Sequence, residues 1–199
     1  MEKLLHNLDV SRETIVSLEQ FVSLLLKWNK AINLIGKSTE KEIWTRHILD
    51  SLQILPIVKN KTILDIGTGA GFPGMVLAIA GAAEVHLVEK NNKKCAFLYQ
   101  LKSLISTNSY IYNEKIEDVK TFTPDIITCR AFAPIVKILQ LIERFITKDS
   151  ILVLLKGENY DAEIKEAEDM GWIFEYNISE SITESKAVVL SLSNIKRND

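Results

Sequence analysis

The stretch Thr62 to Gly74, T-I-L-D-I-G-T-G-A-G-F-P-G, constrains this chain more than any other. Ile63, Leu64 and Ile66 form an apolar run suited to a buried strand, glycines follow at 67, 69, 71 and 74, and a helical apolar pattern resumes at Met75. Strand, glycine-rich turn and helix is the expected order. Glycine is required where backbone passes close to a ligand or takes positive φ, and a helix start offers unpaired N–H groups. Pro73 suits the first helical turn, where the N–H it lacks would be unpaired. The next apolar run, Val85, Leu87 and Val88, ends at Glu89, where a parallel neighbouring strand would present a carboxylate to ribose hydroxyls. Together the two strands specify an adenosine site.

Two frames fit the glycines. Gly69, Gly71 and Gly74 match the dinucleotide fingerprint G-x-G-x-x-G, whereas Asp65, Gly67, Gly69 and Gly71 match D-x-G-x-G-x-G, the frame of S-adenosylmethionine enzymes. A carboxylate at the mouth of the strand repels a pyrophosphate and accommodates a cationic ligand, so Asp65 favours the sulfonium cofactor over a nicotinamide dinucleotide or a turn without a ligand.

Upstream, Ser11 is placed to cap a helix whose Leu18, Phe21, Val22, Leu25 and Trp28 follow amphipathic spacing. A-I-N-L-I-G-K-S, residues 31–38, resembles a phosphate loop only loosely, because it follows a helix and is rich in apolar residues. A second short helix is expected over Glu40 to Leu52, with Arg46, His47, Asp50 and Ser51 on its polar side. His47 reads either as a hydrogen-bonded structural histidine or as a residue at the site's mouth.

Downstream of Glu89, Asn91 can cap a helix burying Phe97, Leu98, Leu101, Leu104 and Ile105, with Lys93, Lys94 and Lys102 largely outside. Further strands are expected at Tyr110–Tyr112, Asp125–Thr128, Ile151–Leu155, Trp172–Tyr176 and Ala187–Leu192, and helices from Pro134 and over Asp161–Met170. The alternation implies a mostly parallel α/β sheet with helices on both faces, and the short 177–185 connection permits an antiparallel last pair. This is the Rossmann-like methyltransferase sheet, expected over residues 61–199, with residues 1–60 as a helical extension packed on the core.

With 199 residues, 47% of them hydrophobic, the chain can bury a substantial core without a second domain. Cys95 and Cys129 lack metal-ligand spacing and read as reduced thiols, no metal is expected, and no apolar run approaches a membrane span. The expectation is a cytoplasmic protein. A net charge of −2 requires any nucleic-acid surface to be a local one.

D-I-G-T-G-A-G-F-P-G, taken with N-L-I-G, R-H-I-L-D-S-L, C-R-A-F-A-P and L-L-K-G-E, resembles the glucose-inhibited division protein B family of bacterial small-subunit rRNA guanine-N7 methyltransferases, from about Trp28 to about Asn159. The resemblance implies transfer of a methyl group from S-adenosyl-L-methionine to one guanine of 16S ribosomal RNA, with that RNA or an assembling small-subunit particle as partner. It implies cofactor contacts at Gly67 and Phe72, Ile116 and Glu117 flanking the adenine, Glu89 at the ribose, and Arg130 reaching the cofactor from the fourth strand. Ala31 and Ile35 depart from the family's usual Arg and Thr.

Guanine N7 carries an in-plane lone pair, so no general base is expected; Arg130 is the candidate for a role in transfer. Arg46, His47 and Lys156 are candidate substrate contacts, with the lysines near 30, 37 and 41 as further phosphate contacts. A nucleophilic Cys129, a dinucleotide-dependent oxidoreductase and a cofactor-binding ribosome assembly factor without catalysis are the competing readings.

Overall fold

The computed structural model describes residue 8 and residues 10–198. The start of the expected extension, residues 1–7, and residues 9 and 199 lie outside the described residues. Helix α1, Arg12–Asn29, is capped by Ser11, whose hydroxyl accepts from Thr14 N at 3.2 Å. Its Leu18, Phe21 and Leu25 are fully buried, and a side chain of this kind contributes about 1.5–3 kcal/mol on burial.

The helix expected over Glu40 to Leu52 is three pieces: a 3-10 helix Lys37–Glu42, a π-helix Trp44–Leu49 and the short α2, Asp50–Leu52. Ser51, expected on a polar face, is fully buried and donates to His47 O at 2.7 Å. Of the two departures from the family pattern, Ile35 is buried in the core and Ala31 is exposed. Helix α3, Leu55–Val58, then leads into the sheet.

The strands are β1 Thr62–Ile66, β2 Glu84–Val88, β3 Ser109–Tyr112, β4 Ile126–Arg130, β5 Ile151–Lys156, β6 Trp172–Glu180 and β7 Val188–Arg197. They form a seven-stranded sheet in the order β3-β2-β1-β4-β5-β7-β6, in which β7 runs antiparallel to both of its neighbours and the pairs from β3 to β5 are parallel. The connecting helices are α4 Gly74–Ile79, α5 Asn92–Leu104, α6 Ile135–Ile142 and α7 Tyr160–Asp169. Asn91 caps α5 as expected, but Leu104, expected inside, is 52% exposed at the helix end.

One apolar cluster joins α1, the π-helix and one sheet face through Phe21, Ile48, Ile63, Phe72 and Phe97; the other joins Leu64, Ile66 and Ile127 to α6 and α7 on the opposite face. The central strands are therefore covered on both sides, which explains why they read as continuous apolar runs. Among the described residues, no helix is long and apolar enough to cross a membrane.

Candidate functional site

The order β2-β1-β4 reverses the chain's progression beside β1, and the carboxyl ends at such a reversal open a crevice suited to ligands. After Ile66 the backbone turns sharply and is pinned to β2, with Gly67 N and Thr68 N both donating to Val88 O at 2.9 and 3.1 Å. Gly67 has φ +66°, and a Cβ there would run into the Phe132 ring. A side chain at Gly74 would meet Asp65 Oδ2 at 2.5 Å, so this helix start also requires glycine.

Below the turn, Asp65 is fully buried and its Oδ2 accepts from Gly74 N at 2.8 Å. It does not stand at the strand mouth as expected; it supports the turn from underneath. Burial pushes its carboxyl up to about 6. Above the turn, Glu89 Oε2 accepts from Gly69 N at 3.1 Å and Oε1 from Asn91 N at 2.7 Å. A carboxylate offers about four lone-pair positions, so Glu89 retains acceptor capacity toward a diol.

A cavity of about 620 Å³ opens here, lined by Ile66, Gly67, Val88, Glu89, Ile116 and Glu117, with Phe132 on its wall. Apolar side chains at Ile66, Val88 and Ile116 and an accepting carboxylate at the end of β2 fit an adenine ring and the hydroxyls of its ribose. Lys94 and Phe132, which the sequence reading did not assign to the site, also line this cavity. Gly71 faces the interior, where an added Cβ would lie 2.7 Å from Met75 Cβ.

Two expected cofactor contacts point elsewhere. The Phe72 ring is 4% exposed and stacked between Phe21 and His47, with centroids 5.2 and 5.0 Å away, because the turn folds it into the core beneath α1. The Arg130 guanidinium is turned from the cofactor cavity toward the π-helix. Its NH1 donates to Arg46 O at 2.9 Å and Asp50 Oδ2 at 3.2 Å, its NH2 meets His47 Nδ1 at 2.7 Å, and its Cζ lies 5.0 Å from the Phe72 centroid. Burial, reinforced by the Arg130 and Arg46 charges, lowers the His47 imidazole to about 4 and keeps it a neutral acceptor. His47 is thus both structural and adjacent to the glycine-rich turn.

A second cavity, of about 590 Å³, shares Ala131, Phe132 and Ala133 with the first and includes Arg46, His47, Arg130 and Lys156 in its lining. Lys156 is not the free phosphate contact expected of it: its Nζ donates to Ala133 O at 2.9 Å and to Glu163 Oε2 at 2.6 Å. Arg46 pairs with Glu184 at 3.0 Å near the mouth. Lys30, Lys37 and Lys41 are exposed. Cys129 is 2% exposed and burial pushes its thiol up, which removes the thiolate a nucleophile needs.

The family model described as rRNA small subunit methyltransferase G matches residues 14–192. The chain is 45% identical over 192 residues to the Ribosomal RNA small subunit methyltransferase G of Rickettsia akari (strain Hartford), covering 96% of this chain and 99% of that protein. It is equally identical, over the same length, to that of Rickettsia felis (strain ATCC VR-1525 / URRWXCal2), covering 98% of the relative. Among solved structures, M. jannaschii TYW2 in complex with AdoMet aligns with a TM-score of 0.60 at 17% identity, over 85% of this chain and 80% of that chain. That likeness is one of fold.

Proposed function

The chain belongs to the rRNA small subunit methyltransferase G family, and from that premise we propose that it transfers a methyl group from S-adenosylmethionine to N7 of a single guanine in small-subunit ribosomal RNA. The observation that carries the cofactor assignment is the β1–β2 cavity with Glu89 at its rim. Ile66, Val88 and Ile116 in its lining suit an adenine, and the spare lone pairs of Glu89 suit the ribose diol. The dinucleotide manner of holding a pyrophosphate at the helix start is closed, because the first N–H of α4 is already taken by the Asp65 carboxylate beneath it.

The cofactor, when bound, supplies an electrophilic methyl carbon on a sulfonium. The protein's own residues supply position. Ile66, Val88 and Ile116 exclude water from one side of the cavity, and the turn from Ala131 to Ala133 leaves the shared wall as the approach for the acceptor. Because N7 attacks with a lone pair and loses no proton, holding it in line near contact distance is the main requirement, and proximity of this kind is worth several orders of magnitude in rate.

In this reading the described residues up to 60 form the helical extension and residues 61–198 the transferase unit. The partner is 16S rRNA, free or in an assembling small subunit, and the reaction takes place in the cytoplasm.

Calorimetry tests the cofactor assignment. S-adenosylhomocysteine binds and NADH does not, and Glu89→Ala weakens S-adenosylhomocysteine by about 1.5–3 kcal/mol, the usual worth of a hydrogen bond to a charged group. Unchanged affinity in Glu89→Ala with an intact fold, or tight binding of NADH, overturns it.

A further inference from the structure

The second cavity is built differently from the first. Phe132 stands on the wall between them with 38% of its surface exposed, so part of its ring is open to stacking by a base. Its backbone neighbour Ala131 adopts φ +48°, a conformation non-glycine residues rarely take, and such strain concentrates at functional sites. On the far side, Glu163 of α7 lines the cavity in a fixed position, because its Oε2 takes both Lys156 Nζ at 2.6 Å and Ile135 N at 2.9 Å. Among the described residues, Glu163 Oε1 takes no hydrogen bond. Lys156 also donates to Ala133 O, so the carboxylate is tied to the wall that faces the cofactor cavity.

We propose that this cavity receives the base to be methylated and that Glu163 Oε1 reads the Watson–Crick edge of guanine; the inference rests on the methyltransferase reading above. Guanine presents two adjacent donors there, N1–H and the N2 amino group, which a carboxylate accepts. Adenine and cytosine place a lone pair on the corresponding ring nitrogen, which a carboxylate repels. A site built to pair a donor discriminates strongly against an analogue lacking it, because the acceptor is then left unpaired. Enzymes that act on an unstacked base read this same edge by hydrogen bonds while holding the ring against apolar side chains, the part that falls to Phe132. On a purine, N7 lies diagonally opposite N2. Anchoring N1 and N2 at Glu163 therefore leaves N7 free for the methyl donor. Lys156 is a positioning residue: it fixes the carboxylate and does not touch the base.

The test uses small-subunit RNA carrying either guanine or inosine, which lacks the N2 amino group, at the methylated position. The wild-type preference is divided by the preference of the two free nucleosides in uncatalysed N7 methylation. The expected result is a corrected preference for guanine of at least about tenfold, as for loss of a well-placed hydrogen bond to a charged group. Glu163→Gln turns an N–H toward the base, lowers kcat/KM on guanine RNA by at least about tenfold, and collapses the corrected preference toward one, with S-adenosylhomocysteine affinity unchanged. A wild-type corrected preference near one overturns the assignment without recourse to any variant, and so does a Glu163→Gln enzyme that keeps the wild-type preference. In both cases the methyltransferase reading stands. Absence of transfer to either RNA by the wild type overturns that reading and this inference together.

Discussion

Two buried titratable residues flank the glycine-rich turn, and their pH dependences run in opposite directions. Asp65 is raised from 3.8 to about 6, chiefly by burial, so between those values the folded state holds a proton that the unfolded state has lost. Its contribution to stability is therefore present at low pH and declines as pH rises toward 6. His47 is lowered from 6.5 to about 4, again chiefly by burial. The folded state holds fewer protons than the unfolded state over that interval, and stability increases with pH. Each shift of about two units amounts to about 3 kcal/mol, so the two nearly cancel. Asp65→Asn, which still accepts from Gly74 N, leaves the His47 slope exposed, and unfolding free energy then rises by about 2 kcal/mol relative to wild type between pH 4 and 6. His47→Asn, which keeps an acceptor toward Arg130, gives the opposite sign. Denaturant unfolding at the two pH values checks both, and slopes of the same sign contradict the assignment of the two groups.

At the scale of elements, Arg130 joins the end of β4 to the π-helix through Arg46 O, Asp50 and His47, while Phe72 carries the same cluster to the glycine-rich turn. Arg130→Lys keeps the charge and loses the planar fork. It is expected to cost about 1–3 kcal/mol of stability by leaving buried acceptors unpaired. Methyl transfer falls at least about tenfold, because the wall of the second cavity loosens, whereas S-adenosylhomocysteine affinity stays close to wild type. Hydrogen exchange rises in the π-helix. A wild-type rate in single-turnover transfer contradicts this linkage.

Much of the architecture was legible from local signals: the spacing of Leu18, Phe21 and Leu25 gave α1, Asn91 marked the start of α5, and apolar runs marked the strands. The π-helix was not legible. Residues 40–52 carry an ordinary helical pattern, and the guanidinium that takes the Arg46 carbonyl comes from 84 positions away. The same distance hid the inward turn of Arg130, since nothing near residue 130 signals a partner at residue 50. Gly67 and Glu89 could be placed because strand ends define the ligand edge of a parallel sheet, whereas Phe72 depended on how the turn packs beneath α1.

For the molecule as a whole, the sheet brings two cavities to one edge and separates them by a turn of three residues, Ala131 to Ala133. With a net charge of −2, affinity for RNA depends on local basic residues near that edge, and Arg46 there is already paired with Glu184. In the proposed reaction the cavity at β1 and β2 holds a methyl donor for a guanine presented across the turn. Its most direct test is mass spectrometry of digested small-subunit RNA, taken from cells lacking this protein and incubated with the purified protein and isotopically labelled S-adenosylmethionine. A single labelled 7-methylguanosine is expected, absent without the protein. Label on another atom or another base, or no label from a protein that binds the cofactor, contradicts it.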